Sequence, residues 1–293
     1  MSGIRADRMM TVGIIAPLQR ALASNKTVSI PMLMYHEISI PKRTAHPYFE
    51  TSTSKDIFRT QIRYLREQGY IVLTLQLAME WMALGKATPR TVVITFDDGC
   101  RSFYTDAMPI LQEYGFPATM FIVSGIADGK AHSFLDTEFM TWPEIREISD
   151  ASIEIGSHTV SHQKLHRLSL ASMRREIEES KMTLEQKLGK QVMSISYPYA
   201  FPEHDRPFRE ILRHAVQNAG YSYGMTTVLG RGTRASDPYL LPRLPVNEYD
   251  DLRLFRAKLD GAYDWVRYPQ TIYKKLRHPF NNPRQSAAVR GQA

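Results

Sequence analysis

"VVITFDDGC", Val92 to Cys100, sets two carboxylates side by side directly after a run of β-branched and apolar residues. An apolar run without alternation reads as a strand covered on both faces, the habit of parallel sheets. Seven further strand-like runs accompany it: "VSIPMLMYH" from Val28, "YIVLTL" from Tyr70, "ATMFIV" from Ala118, "IEIGSH" from Ile153, "SISYPY" from Ser194, "YSYGMTT" from Tyr221 and "YLLPRLPV" from Tyr239. Helical patterns lie between them. Ile57, Phe58, Ile62 and Leu65 form one stripe that begins after Ser54 and stops at Gly69. Leu170, Met173, Ile177, Leu184 and Leu188 form a longer one that stops at Gly189. Strands alternating with helices predict a parallel α/β sheet, and seven or eight such units in about 240 residues match a (β/α) barrel.

A chain of 293 residues that is 43% hydrophobic can bury the core of one such domain. Cys100 is the only cysteine, so no disulfide forms within the chain and cysteine usage leaves the compartment open. The net charge of +7 is uneven: residues 1–27 carry +3 and residues 265–293 carry +6, leaving −2 for the body. The chain therefore divides into an N-terminal extension (1–27), a body (28–264) and a basic C-terminal tail (265–293). Such ends read as solvated, loosely ordered segments, and the body holds no recognition-helix or RNA-platform motif, so no nucleic-acid partner is expected. No apolar run reaches the ~18 residues of a membrane-spanning helix. "MMTVGIIAPL", Met9 to Leu18, resembles a secretory signal core but soon meets Gln19 and Arg20. The expectation is a mature extension, cytoplasmic rather than secreted, with membrane-surface contact through the basic ends.

In a parallel barrel the carboxyl ends of the strands share one rim, where active sites lie. On those ends stand His36 and Glu37, Asp97 and Asp98, His158 with His162 four residues on, and Tyr199. Asp-Gly alone is a common turn, and two histidines four apart are common on surfaces. Together at strand ends they point to a site. One Asp and two His supply the mixed oxygen and nitrogen donors that suit Zn²⁺ with a position left for water, as in catalytic sites. The other Asp is then placed to act as a base toward that water.

In order, "TFDDG", "SHTVSH" and "SYPYA" resemble the three motifs of the polysaccharide deacetylases with a NodB homology domain, carbohydrate esterase family 4. The resemblance implies an irregular (β/α) barrel with seven or eight parallel strands and hydrolysis of N-acetyl groups on an acetylated amino-sugar polysaccharide or oligosaccharide. It implies Asp97 as catalytic base, and Asp98, His158 and His162 as ligands of a divalent metal, Zn²⁺ first, with Co²⁺ or a related ion as alternatives. Tyr197, Pro198 and Tyr199 become a groove wall, with the Tyr199 backbone helping to hold the oxyanion.

Two departures stand out. The third motif usually begins with an arginine that contacts the catalytic aspartate, and Ser196 occupies that place; Arg243 in "LLPRLPV" is the candidate to supply the cation. The usual late Leu-x-His motif is missing, since the only late histidine is His278 in the basic tail. "LMYHEI" resembles a subgroup in which an N-terminal histidine takes its place, which makes His36 the expected general acid. Removal of O-acetyl groups by the same machinery, or a carbohydrate-binding protein without turnover, are the competing readings. Cys100 as a nucleophile is weighed against packing beneath the Asp turn, and Trp142 in "FMTWPEI" stacking on sugar faces against a core or helix-start role; packing is preferred for Cys100.

Overall fold

All eight runs become strands: β1 (Met32–Tyr35), β2 (Ile71–Leu73), β3 (Thr91–Phe96), β4 (Ala118–Ile122), β5 (Ile153–Ser157), β6 (Ser194–Ser196), β7 (Tyr223–Leu229) and β8 (Leu241–Pro245). The computed structural model describes residues 5–21, 28–40, 47–129 and 137–277, so His278 lies outside the described residues. Every pairing between strands is parallel, and β1 meets β3 directly, from Met32 opposite Val93 to Tyr35 opposite Phe96. That contact closes a barrel of seven strands. The extra strand, β2, pairs with Thr91 to Val93 on the edge of β3 that β4 takes over at Thr95 and Phe96.

The helices outside follow their local signals. Helix Lys55–Glu67 starts at Ser54, whose hydroxyl accepts from the Ile57 N–H at 3.5 Å, and it buries Phe58, Ile62 and Leu65 while Ile57 stays half-buried. Helix Leu170–Leu188 starts at Ser169 and buries Met173, Ile177 and Leu184; Gly189 ends it at φ 65°, where a Cβ would be strained.

Beside Glu154, which accepts from Ser194 Oγ at 3.1 Å, Met32, Val93, Phe121, Met225 and Leu241 pack as an apolar plug in the lower interior of the barrel. Gly156 makes room for it: a Cβ at that position would lie 2.4 Å from the Phe121 ring.

The described parts of both ends are folded against the barrel, which differs from loosely ordered tails. Helical structure runs from Ala6 to Ala21 and again from Arg267 to Arg277. Tyr263 Oη donates to Asp7 Oδ2 at 2.7 Å, and Trp265 Nε1 donates to Thr11 Oγ1 at 2.9 Å. Charge counts along the chain carry no information about such contacts.

Candidate active site

Asp97 directly follows β3 and is still held by the sheet, its N–H bonded to Tyr35 O at 3.0 Å. The chain then turns sharply, with Asp98 at φ 74° and Gly99 at φ 81°. A positive φ is uncommon outside glycine. Among the described residues the non-glycine examples are Asp98, Thr159, His162 and Tyr199, all at this rim. Such backbone persists where surrounding contacts over-determine it, and it collects at functional sites.

The contacts that hold the histidine loop are visible. Thr159 N–H donates to Ser157 Oγ at 3.1 Å, and His162 N–H donates to Thr159 Oγ1 at 3.1 Å. Glu176, on helix Leu170–Leu188, accepts from the N–H groups of Val160 at 3.0 Å and Ser161 at 2.9 Å, and from the Ser161 hydroxyl. Glu176 was invisible in the sequence because it is one acid among several on a charged helix face. Replacing it by Ala leaves two loop amides without that acceptor. We expect a loss of about 1–3 kcal/mol of stability and of about 10- to 100-fold in Zn²⁺ affinity by calorimetric titration.

Asp98, His158 and His162 come together with their ligand atoms all within 4.8 Å of one another. Asp98 Oδ1 lies 3.4 Å from Nε2 of His158 and 3.4 Å from Nε2 of His162. Two donors each about 2.1 Å from a tetrahedral ion sit about 3.4 Å apart, so the set fits Zn²⁺ or an ion of similar size. Two further observations agree. Asp98 Oδ1 is buried without a hydrogen-bond partner, an arrangement that is costly unless something else is held there. His158 Nδ1 lies 2.8 Å from Ser196 O, a carbonyl that can only accept, so the proton sits on Nδ1 and the Nε2 lone pair faces Asp98.

The electrostatics reinforce this. Burial raises the Asp98 carboxyl, but His158 and the charges of His36 and His162 hold it below its ordinary value. Burial lowers His158, and the charges of Asp97 and Asp98 more than offset it. His162 is lowered to about 3 by burial and by the charge of His158.

Asp97 faces a different partner. Arg243, fully buried in β8, forks onto it, with Nη1 to Oδ1 at 2.7 Å and Nη2 to Oδ2 at 2.7 Å. Its remaining donors reach Ser196 Oγ at 2.8 Å, Thr95 Oγ1 at 3.3 Å and Thr226 O at 3.1 Å, so all five N–H groups are used. Burial would raise the Asp97 carboxyl; the Arg243 charge holds it far below the usual range. Ser196, at the place of the missing arginine, donates to Asp97 Oδ2 at 3.2 Å.

His36 is half-buried just past β1, close enough for its charge to act on Asp97, Asp98 and His162. Tyr199 is exposed at the rim, its ring 4.7 Å from that of His162 and beneath Lys164 Nζ at 4.8 Å. Tyr197 and Pro198 are buried, which corrects their reading as groove surface. The Tyr197 hydroxyl donates inward to Tyr239 O at 2.8 Å, because alternation along the strand end sends it into the core. Cys100 is buried, as packing beneath the turn requires. Trp142 is a helix-start residue, its Nε1 bonded to Asp128 Oδ1 at 3.2 Å.

Known proteins resemble the chain in sequence and fold. The polysaccharide deacetylase family matches residues 85–224. Bacillus subtilis YxkH, which carries a polysaccharide deacetylase name, is 30% identical over 227 residues, 77% of this chain and 74% of that protein. The Staphylococcus aureus poly-β-1,6-N-acetyl-D-glucosamine N-deacetylase is 27% identical over 222 residues, 73% of each chain. The fold is similar to that of the Streptococcus pyogenes deacetylase PplD, with a TM-score of 0.68 and 22% identity over 80% of this chain and 99% of that one. With an unbroken motif order on a matching barrel, and a relative at this identity across three quarters of its length, the chain belongs to the polysaccharide deacetylase family.

Proposed function

We propose that the chain is a divalent-metal-dependent deacetylase that hydrolyses N-acetyl groups of an amino-sugar glycan, yielding acetate and a free amine. The observation that carries this reading is the division of labour between adjacent aspartates: Asp98 presents an unpartnered oxygen to two imidazoles, and Asp97 is locked to Arg243. The deacetylase named for an N-acetylglucosamine polymer in Staphylococcus aureus supports the substrate class.

Asp98, His158 and His162 are the residues that would hold the ion, which supplies Lewis acidity toward an amide carbonyl and lowers the pKa of water. Asp97 has three acceptor positions filled by Arg243 and Ser196, and one on Oδ1 is left to take a proton from water. Water oxygen bonds to the acetyl carbon as that proton passes to Asp97. Arg243 keeps the carboxylate ionised and oriented until then. The C–N bond breaks when the nitrogen is protonated, because an unprotonated amine is a poor leaving group; His36 at the mouth is the donor. The Tyr199 backbone helps to hold the oxyanion, and its exposed ring borders the site beside His162.

The test is a panel of N-acetylated and O-acetylated oligosaccharides, with acetate and primary amine both quantified. The expected result is one ion per chain by elemental analysis, acetate matched by amine, and loss of both on chelation. Acetate from esters alone would assign an O-acetyl esterase, and silence of the metal-loaded chain a binding protein. A second expectation separates the acid from the ligands. His36→Ala should lower amide hydrolysis by roughly 10²-fold or more while sparing an ester with a phenolic leaving group, which departs unprotonated. Equal losses on both substrates would make His36 structural.

A further inference from the structure

The helical run Ala6–Ala21 meets the barrel with one face only. Thr11 and Ala16 are buried, the latter against Ala257 and Ala262, and Val12 and Ile15 are half-buried beside them. The opposite face carries Met9 at 62% exposure, Met10 at 41%, Ile14 at 53% and Leu18 at 54%. These positions recur at the helical period, and no charged residue lies between Met9 and Leu18. A row of large apolar side chains facing outward on a docked helix marks an interaction surface. The run cannot roll to hide them: Asp7 is bonded to Tyr263, Arg8 is paired with Asp251, and Thr11 is bonded to Trp265.

A second apolar face adjoins it. Helix Arg267–Arg277 exposes Tyr268 at 72% and, one turn on, Ile272 at 59%. Trp265, just before that helix, is the residue bonded to Thr11. The same two segments hold the chain's positive charge, +3 in residues 1–27 and +6 in residues 265–293 against −2 in the body.

We propose that the helical run Ala6–Ala21, together with the start of helix Arg267–Arg277, is a docking surface for an anionic lipid bilayer. Met9, Met10, Ile14 and Leu18 enter the boundary between headgroups and acyl chains, and the net positive charge of the two end segments favours anionic lipid. The charge selects this occupant, because a second copy of the same surface would bring two strongly positive ends together. The helix lies on the membrane and does not cross it, since no described helix is long and apolar enough to span. Glu203, four residues beyond Tyr199, pairs with Arg267, so the surface adjoins the rim that holds the site.

The test is flotation of the full chain with vesicles of phosphatidylcholine, with and without phosphatidylglycerol, and it does not depend on the reaction assigned above. We expect binding to the anionic vesicles that weakens with added salt, and little binding to neutral ones. Ile14→Glu with Leu18→Glu should reduce that binding by at least about tenfold. Both positions are exposed, so an unchanged melting temperature is the control for folding. No flotation, flotation that the double variant leaves intact, or equal binding to neutral vesicles would overturn the proposal. So would a dimer in solution that the double variant dissolves.

Discussion

Asp97→Asn is expected to lower turnover by about 10²- to 10⁴-fold while the protein retains its ion. The substitution keeps the shape of the side chain and one acceptor oxygen, but it removes the charge and the capacity to take a proton. None of the three ligand atoms belongs to Asp97, whose Oδ2 stands 3.9 Å from His158 Nε2. Asp98→Asn should give the opposite pattern, because it removes an anionic donor from a set of three: ion affinity falls, and activity returns in part at high metal concentration. Elemental analysis beside single-turnover rates distinguishes them. An Asp97→Asn protein that arrives without metal and recovers its rate on readdition would reverse the two assignments.

Arg243→Met is expected to have the largest effect on stability, about 3–5 kcal/mol in denaturant unfolding of the metal-free protein. The methionine side chain fills most of the volume above Phe121, so the loss is electrostatic. Asp97 is left in a buried site without its countercharge, and its carboxyl rises until it protonates. Thr226 O also loses its Arg243 donor. Activity should fall with stability, since a protonated Asp97 is no base. The double variant Asp97→Asn with Arg243→Met should lose much less than the two single losses combined, because each single change strands the other partner. Additive losses, or a single loss under about 1 kcal/mol as for an exposed pair, would show that the fork contributes little.

Arg243 also marks how far sequence reading reaches. Its position in a strand-like run and the missing arginine at Ser196 made it a candidate, yet it and Asp97 are 146 residues apart. Nothing in either local window reports a distance. The fork, the serine wedged beside it and the carbonyl beneath it are properties of four strands, β3, β6, β7 and β8, meeting in a closed ring. The mirror case is Tyr197 and Tyr199: the motif offered both, and Tyr197 packs into the core while Tyr199, at φ 64°, leaves the strand path and stands at the rim.

By itself, the sequence determined the elements, because each signal is complete within the residues that obey it. The apolar run of β3 needs no partner to be read, nor does Ser54 at a helix start or Gly189 at a helix end. Motif order likewise placed Asp97, Asp98, His158 and His162 on strand ends, and parallel strands bring their ends to one rim. Tertiary structure alone decided how the ring closes, with β1 against β3 and β2 left outside, since "YIVLTL" carries the same apolar sequence pattern as a ring strand. It also decided that Glu176 pins the histidine loop and that the described parts of the charged ends fold onto the barrel. These outcomes depend on which groups share a buried site and lose water together, and that is set by contacts between residues far apart in the chain.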